Sequence, residues 1–154
     1  MPILKLLCEY EDRPINVQTQ RPRFCWALDD NTVREQLSYR IIVSEDKALT
    51  QPVWDSGTVL SRASLGIVYN GAPLRDCTRY YWQVKISCRD GFNITGSSFF
   101  ETAISPEAHW EGQWISHPQP LDGYSILLRK EIFLDATLQK RALISAASAF
   151  TVCI

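Results

Sequence analysis

The stretch "TRYYWQVKISCRDGFNITGSSFFETA", Thr78 to Ala103, decides the fold. In its first half Tyr80, Trp82, Val84, Ile86 and Cys88 fall on one side of an extended chain, and Tyr81, Gln83, Lys85 and Ser87 on the other. A period of two is the mark of a strand with one face in a core. Asp90-Gly91 is a turn pair suited to a tight hairpin, and Ser98 to Thr102 reads as the returning strand. No residue set in the stretch points to chemistry.

The same period runs outward from it. In "RFCWALD" Phe24, Trp26 and Leu28 point one way; in "SYRIIVS" Tyr39, Ile41 and Val43 share a face, with Arg40 and Ser44 opposite. "SLGIVYN" places Leu65, Ile67 and Tyr69 together. Helix signals are poor: the best, "SEDKALTQ" at Ser44 to Gln51, has room for about one or two turns before Pro52. About seven short strands separated by turns predict an all-β chain, a fibronectin type III or immunoglobulin-like β-sandwich.

Trp26 is expected as the large central side chain, sharing one core with Tyr39, Tyr80, Trp82 and Val84. Leu74 to Tyr80 reads as a tyrosine corner, the Tyr80 hydroxyl bonding back to upstream backbone. Cys25 is out of phase with Trp26, so no antibody-style Cys25–Cys88 bridge is expected, which favours the fibronectin variety.

The chain has 154 residues, 45% hydrophobic and 21% charged, enough for one domain and part of another. Sixteen basic against seventeen acidic residues, with no Lys/Arg run, give nucleic acid and anionic membranes no electrostatic hold. No apolar run is long enough to span a bilayer. "MPILKLLCEYEDRP" meets Glu9, Glu11 and Asp12 too early for a secretory signal. With five cysteines (Cys8, Cys25, Cys77, Cys88, Cys153) in no framework or zinc spacing, the expectation is buried thiols in a cytoplasmic compartment, a periplasmic or secreted one staying open.

Chemistry has few candidates. The adjacent acids Asp29-Asp30 and Glu45-Asp46 point apart on strands or turns and do not span a substrate as glycoside hydrolysis requires. There is no G-x-S-x-G and no glycine-rich phosphate loop, and His109 and His117 both lie late in the chain. Asn93-Ile94-Thr95 is a glycosylation-type triplet read as incidental in a hairpin loop. Arg21-Pro22-Arg23 reads as a solvated strand start, with carboxylate binding the minor alternative. The expectation is no catalytic residue, no metal and no cofactor.

After Ala103 the character changes. A sandwich over residues 1–104 is expected to give way to a Trp/Pro-rich connector, 105–125, and then to 126–154, the truncated opening strands of a second β-domain. Those strands are expected at Ile126 to Leu134, Ala142 to Ser145 and Phe150 to Ile154. Trp110 and Trp114 in "HWEGQWI" are the candidates for a sugar or interdomain contact. Bare apolar strands over 126–154 suggest a homo-oligomer formed through them.

In order along the chain stand "QRPRFCWALDD", "YRIIVSED", "VWDSGTV", "RYYWQVKISCRDG", "FFETA", "HWEGQWIS" and "LLRKEIFL". Together they resemble the N-terminal region of bacterial α-L-rhamnosidases of glycoside hydrolase family 78. The resemblance implies a parent enzyme that removes terminal α-L-rhamnose with inversion, its acid and base on a downstream helical barrel absent from this chain. No catalytic residue carries over. The implied role is a non-catalytic accessory region whose partners are the parent's downstream domains. The competing reading is a stand-alone carbohydrate- or protein-binding module.

Overall fold

The computed structural model describes residues 3–28, 35–104 and 129. The chain divides into two units, Met1–Ala108 and His109–Ile154, and the seven strands among the described residues belong to the first. They are β1 (Ile3–Cys8), β2 (Arg23–Leu28), β3 (Gln36–Ser44), β4 (Pro52–Asp55), β5 (Ile67–Val68), β6 (Arg79–Cys88) and β7 (Asn93–Glu101). One sheet runs β1-β2-β5 and the other β4-β3-β6-β7, with every pairing antiparallel. The fourth strand thus joins the sheet of β3, β6 and β7, whereas constant-type immunoglobulin domains place theirs with the opposite sheet. The fold is an all-β sandwich, as the period-two reading predicts.

The core forms where the inward faces meet. Trp82, Phe24, Phe100, Tyr80, Ile41, Val43, Val84 and Ile86 are almost wholly buried. The Phe24 ring sits 4.6 Å from that of Trp82 and 5.9 Å from that of Phe100, and Tyr80 stacks on Phe100 at 5.5 Å. Trp26, Tyr39, Tyr80, Trp82 and Val84 share this one core, as predicted. Its centre, though, is Trp82 against Phe24; Trp26 pairs edge-on with Tyr39 at 5.2 Å and reaches a polar partner, Gln36. Trp82 Nε1 is buried without an acceptor, at a cost of about 1–3 kcal/mol that the burial of so large a ring outweighs.

Local chemistry corrects three expectations. Ser44 to Gln51 is a turn: the Asp46 carboxylate accepts the N–H groups of Thr50 and Gln51 at 3.0 and 3.2 Å, and Leu49 sits at φ 58°. A side chain that captures backbone donors in this way outcompetes the helix. Leu65 is exposed, because Gly66 at φ 70° breaks the alternation and only Ile67–Val68 pair as a strand. The hairpin returns early: with Gly91 at φ 84° the turn closes fast and β7 starts at Asn93, so the Asn93-Ile94-Thr95 triplet is strand and not loop. Cys25 is out of phase with Trp26 and still buried, as expected of the thiols, its sulfur accepting the Gly66 N–H at 3.3 Å.

Cys8, Cys25, Cys77 and Cys88 form no disulfide; Cys8, Cys25 and Cys88 are buried as expected, whereas Cys77, at φ 50° in the loop before β6, is exposed. Burial pushes the Cys8 thiol far above its usual range, so it stays protonated and inert. Gly71 has a packing reason: a Cβ there would stand 2.5 Å from the Tyr69 hydroxyl and 2.6 Å from Trp54 Cβ.

Candidate functional site

Trp110 and Trp114, the residues singled out for contact, lie outside the described residues, as do 105–125, Asp29-Asp30 and, Arg129 apart, the strands expected over 126–154. Among the described residues no group of His, Cys, Asp and Glu is placed to hold a metal. No described helix is long and apolar enough to cross a membrane.

Several of the described acids are committed to ion pairs. Glu45 pairs with Arg75, Glu35 with Arg62 and Arg89, and Arg40 Nε donates to Asp55 at 2.8 Å. Among the described residues three carboxyls depart clearly from their ordinary pKa, and all move down. Glu9 is lowered chiefly by its hydrogen bond from Arg23, and Asp55 by that from Arg40. Partial desolvation works to raise Asp46, but hydrogen bonds from Ser44, Gln51 and Thr50 overcome it and bring it to about 2. A glycosidase acid needs a raised value so that it still holds its proton near neutrality. These groups are built the other way.

The Arg21-Pro22-Arg23 stretch does bind a carboxylate, that of its own chain. Glu9 accepts the Arg23 backbone N–H at 2.6 Å and its guanidinium at 3.1 and 2.8 Å, while the guanidinium carbon lies 4.9 Å from the centre of the Tyr10 ring. This clamp holds a strained bend: Glu9, Tyr10 and Arg13 all have positive φ. The bend moves the chain from one sheet to the other. Before it, β1 pairs with β2; after it, Pro14 and Val17 bond to β7, Pro14 O accepting from Glu101 N at 2.8 Å and Val17 N donating to Glu101 O at 2.9 Å.

The outward side of β6 and β7 carries a strip of aromatic and polar side chains. Tyr81 and Phe99 stand opposite each other with ring centres 6.3 Å apart, and the Arg79 guanidinium covers Phe99 at 4.5 Å while Nε donates to Glu101 at 2.6 Å. Gln83 donates to the Ser97 hydroxyl at 3.1 Å. A groove runs over this strip and round the β7 edge, with Lys5, Leu7, Tyr10 and Lys47 on its further walls. The sequence pattern gave the outward phase of these residues, and the groove depends on the neighbouring loops, which it did not show.

Residues 3–106 match the family model described as Rha78A-like, N-terminal immunoglobulin domain. An α-L-rhamnosidase of Streptomyces avermitilis is 36% identical over 118 residues, covering 73% of this chain and 12% of the relative. One from Formosa agariphila is 30% identical over 120 residues, covering 73% and 13%. The crystal structure of the Streptomyces avermitilis α-L-rhamnosidase complexed with L-rhamnose superposes with a TM-score of 0.69 at 34% identity, covering 75% of this chain and 12% of that one. The α-L-rhamnosidase from Dictyoglumus thermophilum gives 0.66 at 29% identity, covering 75% and 14%. The chain therefore spans only about an eighth of the length of the relatives it matches. By a match that covers its whole sandwich, this chain belongs to the Rha78A-like N-terminal immunoglobulin domain family.

Proposed function

We propose that this chain is a non-catalytic N-terminal accessory region of an α-L-rhamnosidase, a hydrolase that removes terminal α-L-rhamnose from glycosides with inversion. The observation that carries the reading is the partial match: relatives named α-L-rhamnosidase align with this chain through an immunoglobulin domain and over about an eighth of their length. The chemistry of the domain supports it. Inverting hydrolysis uses two carboxyl groups about 6.5–9.5 Å apart, one of them held protonated. Here Glu9, Asp55, Glu45, Glu35 and Glu101 each neutralise an arginine, and Asp46 closes a turn. The domain's work is then to present a rigid sandwich to the domains that follow it in the parent enzyme.

The purified chain is expected to release no p-nitrophenol from p-nitrophenyl α-L-rhamnoside above the buffer blank. Deleting residues 3–106 from the full-length enzyme is expected to lower its melting temperature and soluble yield. Turnover by the chain itself, lost on Glu101→Gln or Asp55→Asn, overturns the reading.

A further inference from the structure

β1 is an outer strand with one hydrogen-bonded neighbour. It pairs with β2 from Ile3 to Cys8 and runs alongside β7. Leu6 packs against the core and Cys8 lies within it, so β1 fills a socket that is apolar on its inner side. The segment Glu9–Arg13 joins this strand to everything that follows it in the chain.

That segment is bent against its own sequence. Cys8 N donates to Glu11 O and Glu11 N donates to Cys8 O, each at 3.0 Å, which closes a two-residue turn on Glu9 and Tyr10. Both have positive φ, 49° and 66°, the signs of a type I′ turn, and Arg13 adds a third positive φ at 51°. Asn-Gly, Asp-Gly and Gly-Gly are the pairs that suit such a turn, whereas a bulky side chain at positive φ is a backbone outlier. Residues 10–13 are exposed, so no core contact imposes the bend on them. Straightening the segment breaks the two Cys8–Glu11 hydrogen bonds and lets all three residues return to negative φ.

We propose that Glu9–Arg13 is a hinge through which two copies of this chain exchange β1, each strand lying on β2 of the other copy. Identity fixes the occupant of the socket. It is the same strand, so the β1–β2 register, the packing of Leu6 and Cys8 and the place beside β7 are all kept. The room is what each copy's own β1 vacates. Fully extended, Glu9–Arg13 reaches about 17 Å, more than the spacing of about 10 Å between two packed sheets. Pro14 and Val17 can therefore stay bonded to β7 while β1 crosses to the neighbour. Exchange of an identical element is a known route to two-fold dimers, and short strained hinges invite it. The hinge decides the balance, because the contacts of β1 itself are common to both forms. This inference does not depend on the proposed accessory role.

The test is the mass of the whole chain by sedimentation from micromolar to millimolar concentration, for wild type, Tyr10→Gly and Tyr10→Val. Wild type is expected as monomer and dimer, the dimer share rising with concentration and the two forms interconverting slowly, since exchange requires β1 to leave β2. Glycine accepts positive φ and eases the closed bend, so Tyr10→Gly is expected to weaken the dimer about tenfold; valine resists it, so Tyr10→Val is expected to strengthen the dimer about tenfold. The place of contact is read from a chain carrying Lys5→Cys and Ala27→Cys, exposed positions that face each other across β1 and β2. After oxidation, mass mapping is expected to find the 5–27 disulfide between chains in the isolated dimer and within one chain in the monomer. A wild type that stays monomeric at millimolar concentration overturns the proposal. So does a dimer whose 5–27 disulfide lies within one chain, which moves the contact to residues 126–154 or elsewhere. If the double-cysteine chain does not fold, the Tyr10 pair decides: opposite shifts support exchange, and any other result overturns it.

Discussion

The hydroxyl of Tyr80 accepts the backbone N–H of Arg75 at 2.8 Å, with the Tyr80 ring almost wholly buried against Phe100. The bond ties the loop before β6 to the strand it feeds, and it is the tyrosine corner that the Leu74 to Tyr80 pattern predicts. Tyr80→Phe keeps the ring and strands the Arg75 N–H, so a loss of about 1–2 kcal/mol is expected by urea denaturation. An unchanged midpoint shows that water replaces the hydroxyl there.

A second polar anchor lies at the other end of the core. Trp26 Nε1 donates to Gln36 Oε1 at 3.0 Å, and Gln36 Nε2 donates to the carbonyls of Ser61 and Ala63, each at 2.9 Å. One buried amide therefore links β2, β3 and the long β4–β5 connection. Trp26→Ala is expected to cost about 3–5 kcal/mol through the cavity alone. Gln36→Ala leaves a buried donor and two carbonyls without a partner and is expected to cost about 1–3 kcal/mol. The double variant is expected to cost less than the sum of the two single ones, because the Trp26–Gln36 bond is lost only once, and strict additivity would show that this bond contributes nothing.

What was legible in the sequence and what was not divides by range. Alternation over β6 and the Asp90-Gly91 pair are local signals, and they gave the hairpin, the burial of Trp82 and Val84, and the sandwich. The resemblance of the ordered motifs gave the family. The misreadings have local causes too: Gly66 at positive φ resets the phase of Leu65, and Asp46 diverts backbone donors from a helix. The Gln36 anchor and the Glu9–Arg23 clamp were beyond reach, because each joins residues ten or more positions apart with no motif to announce them.

Asp46 gives the turn after β3 a pH dependence whose sign follows from its shift. Its carboxyl titrates at about 2 in the folded chain against an ordinary 3.8, so the folded state binds the proton more weakly than the unfolded one. The stabilisation is full above the ordinary value and is lost as pH falls towards about 2. Glu9, also lowered, adds in the same direction. Stability is expected to fall between about pH 4 and pH 2, and Asp46→Asn is expected to flatten part of that fall, as read by thermal melts across the range. A melt profile identical to wild type removes Asp46 from the account.

The Glu9–Arg23 clamp carries the last expectation, which concerns motion more than global stability. Three residues at positive φ between β1 and Pro14 hold an unfavourable backbone, and such strain persists only where surrounding contacts impose it. The Glu9 carboxylate supplies three of those contacts, to one backbone N–H and two guanidinium nitrogens of Arg23. Glu9→Ala removes them all and frees the bend to relax. The consequence should appear at a distance, since the bend delivers Val17 to β7, where Val17 N bonds Glu101 O and Ala103 N bonds Val17 O at 2.8 Å. Faster hydrogen exchange is therefore expected at Val17, Glu101 and Ala103, with the amides of β3 and β6 unchanged. Uniform loss of protection would mean that the clamp supports the whole sandwich. No change at Val17 would mean that the segment keeps its place on β7 without the clamp.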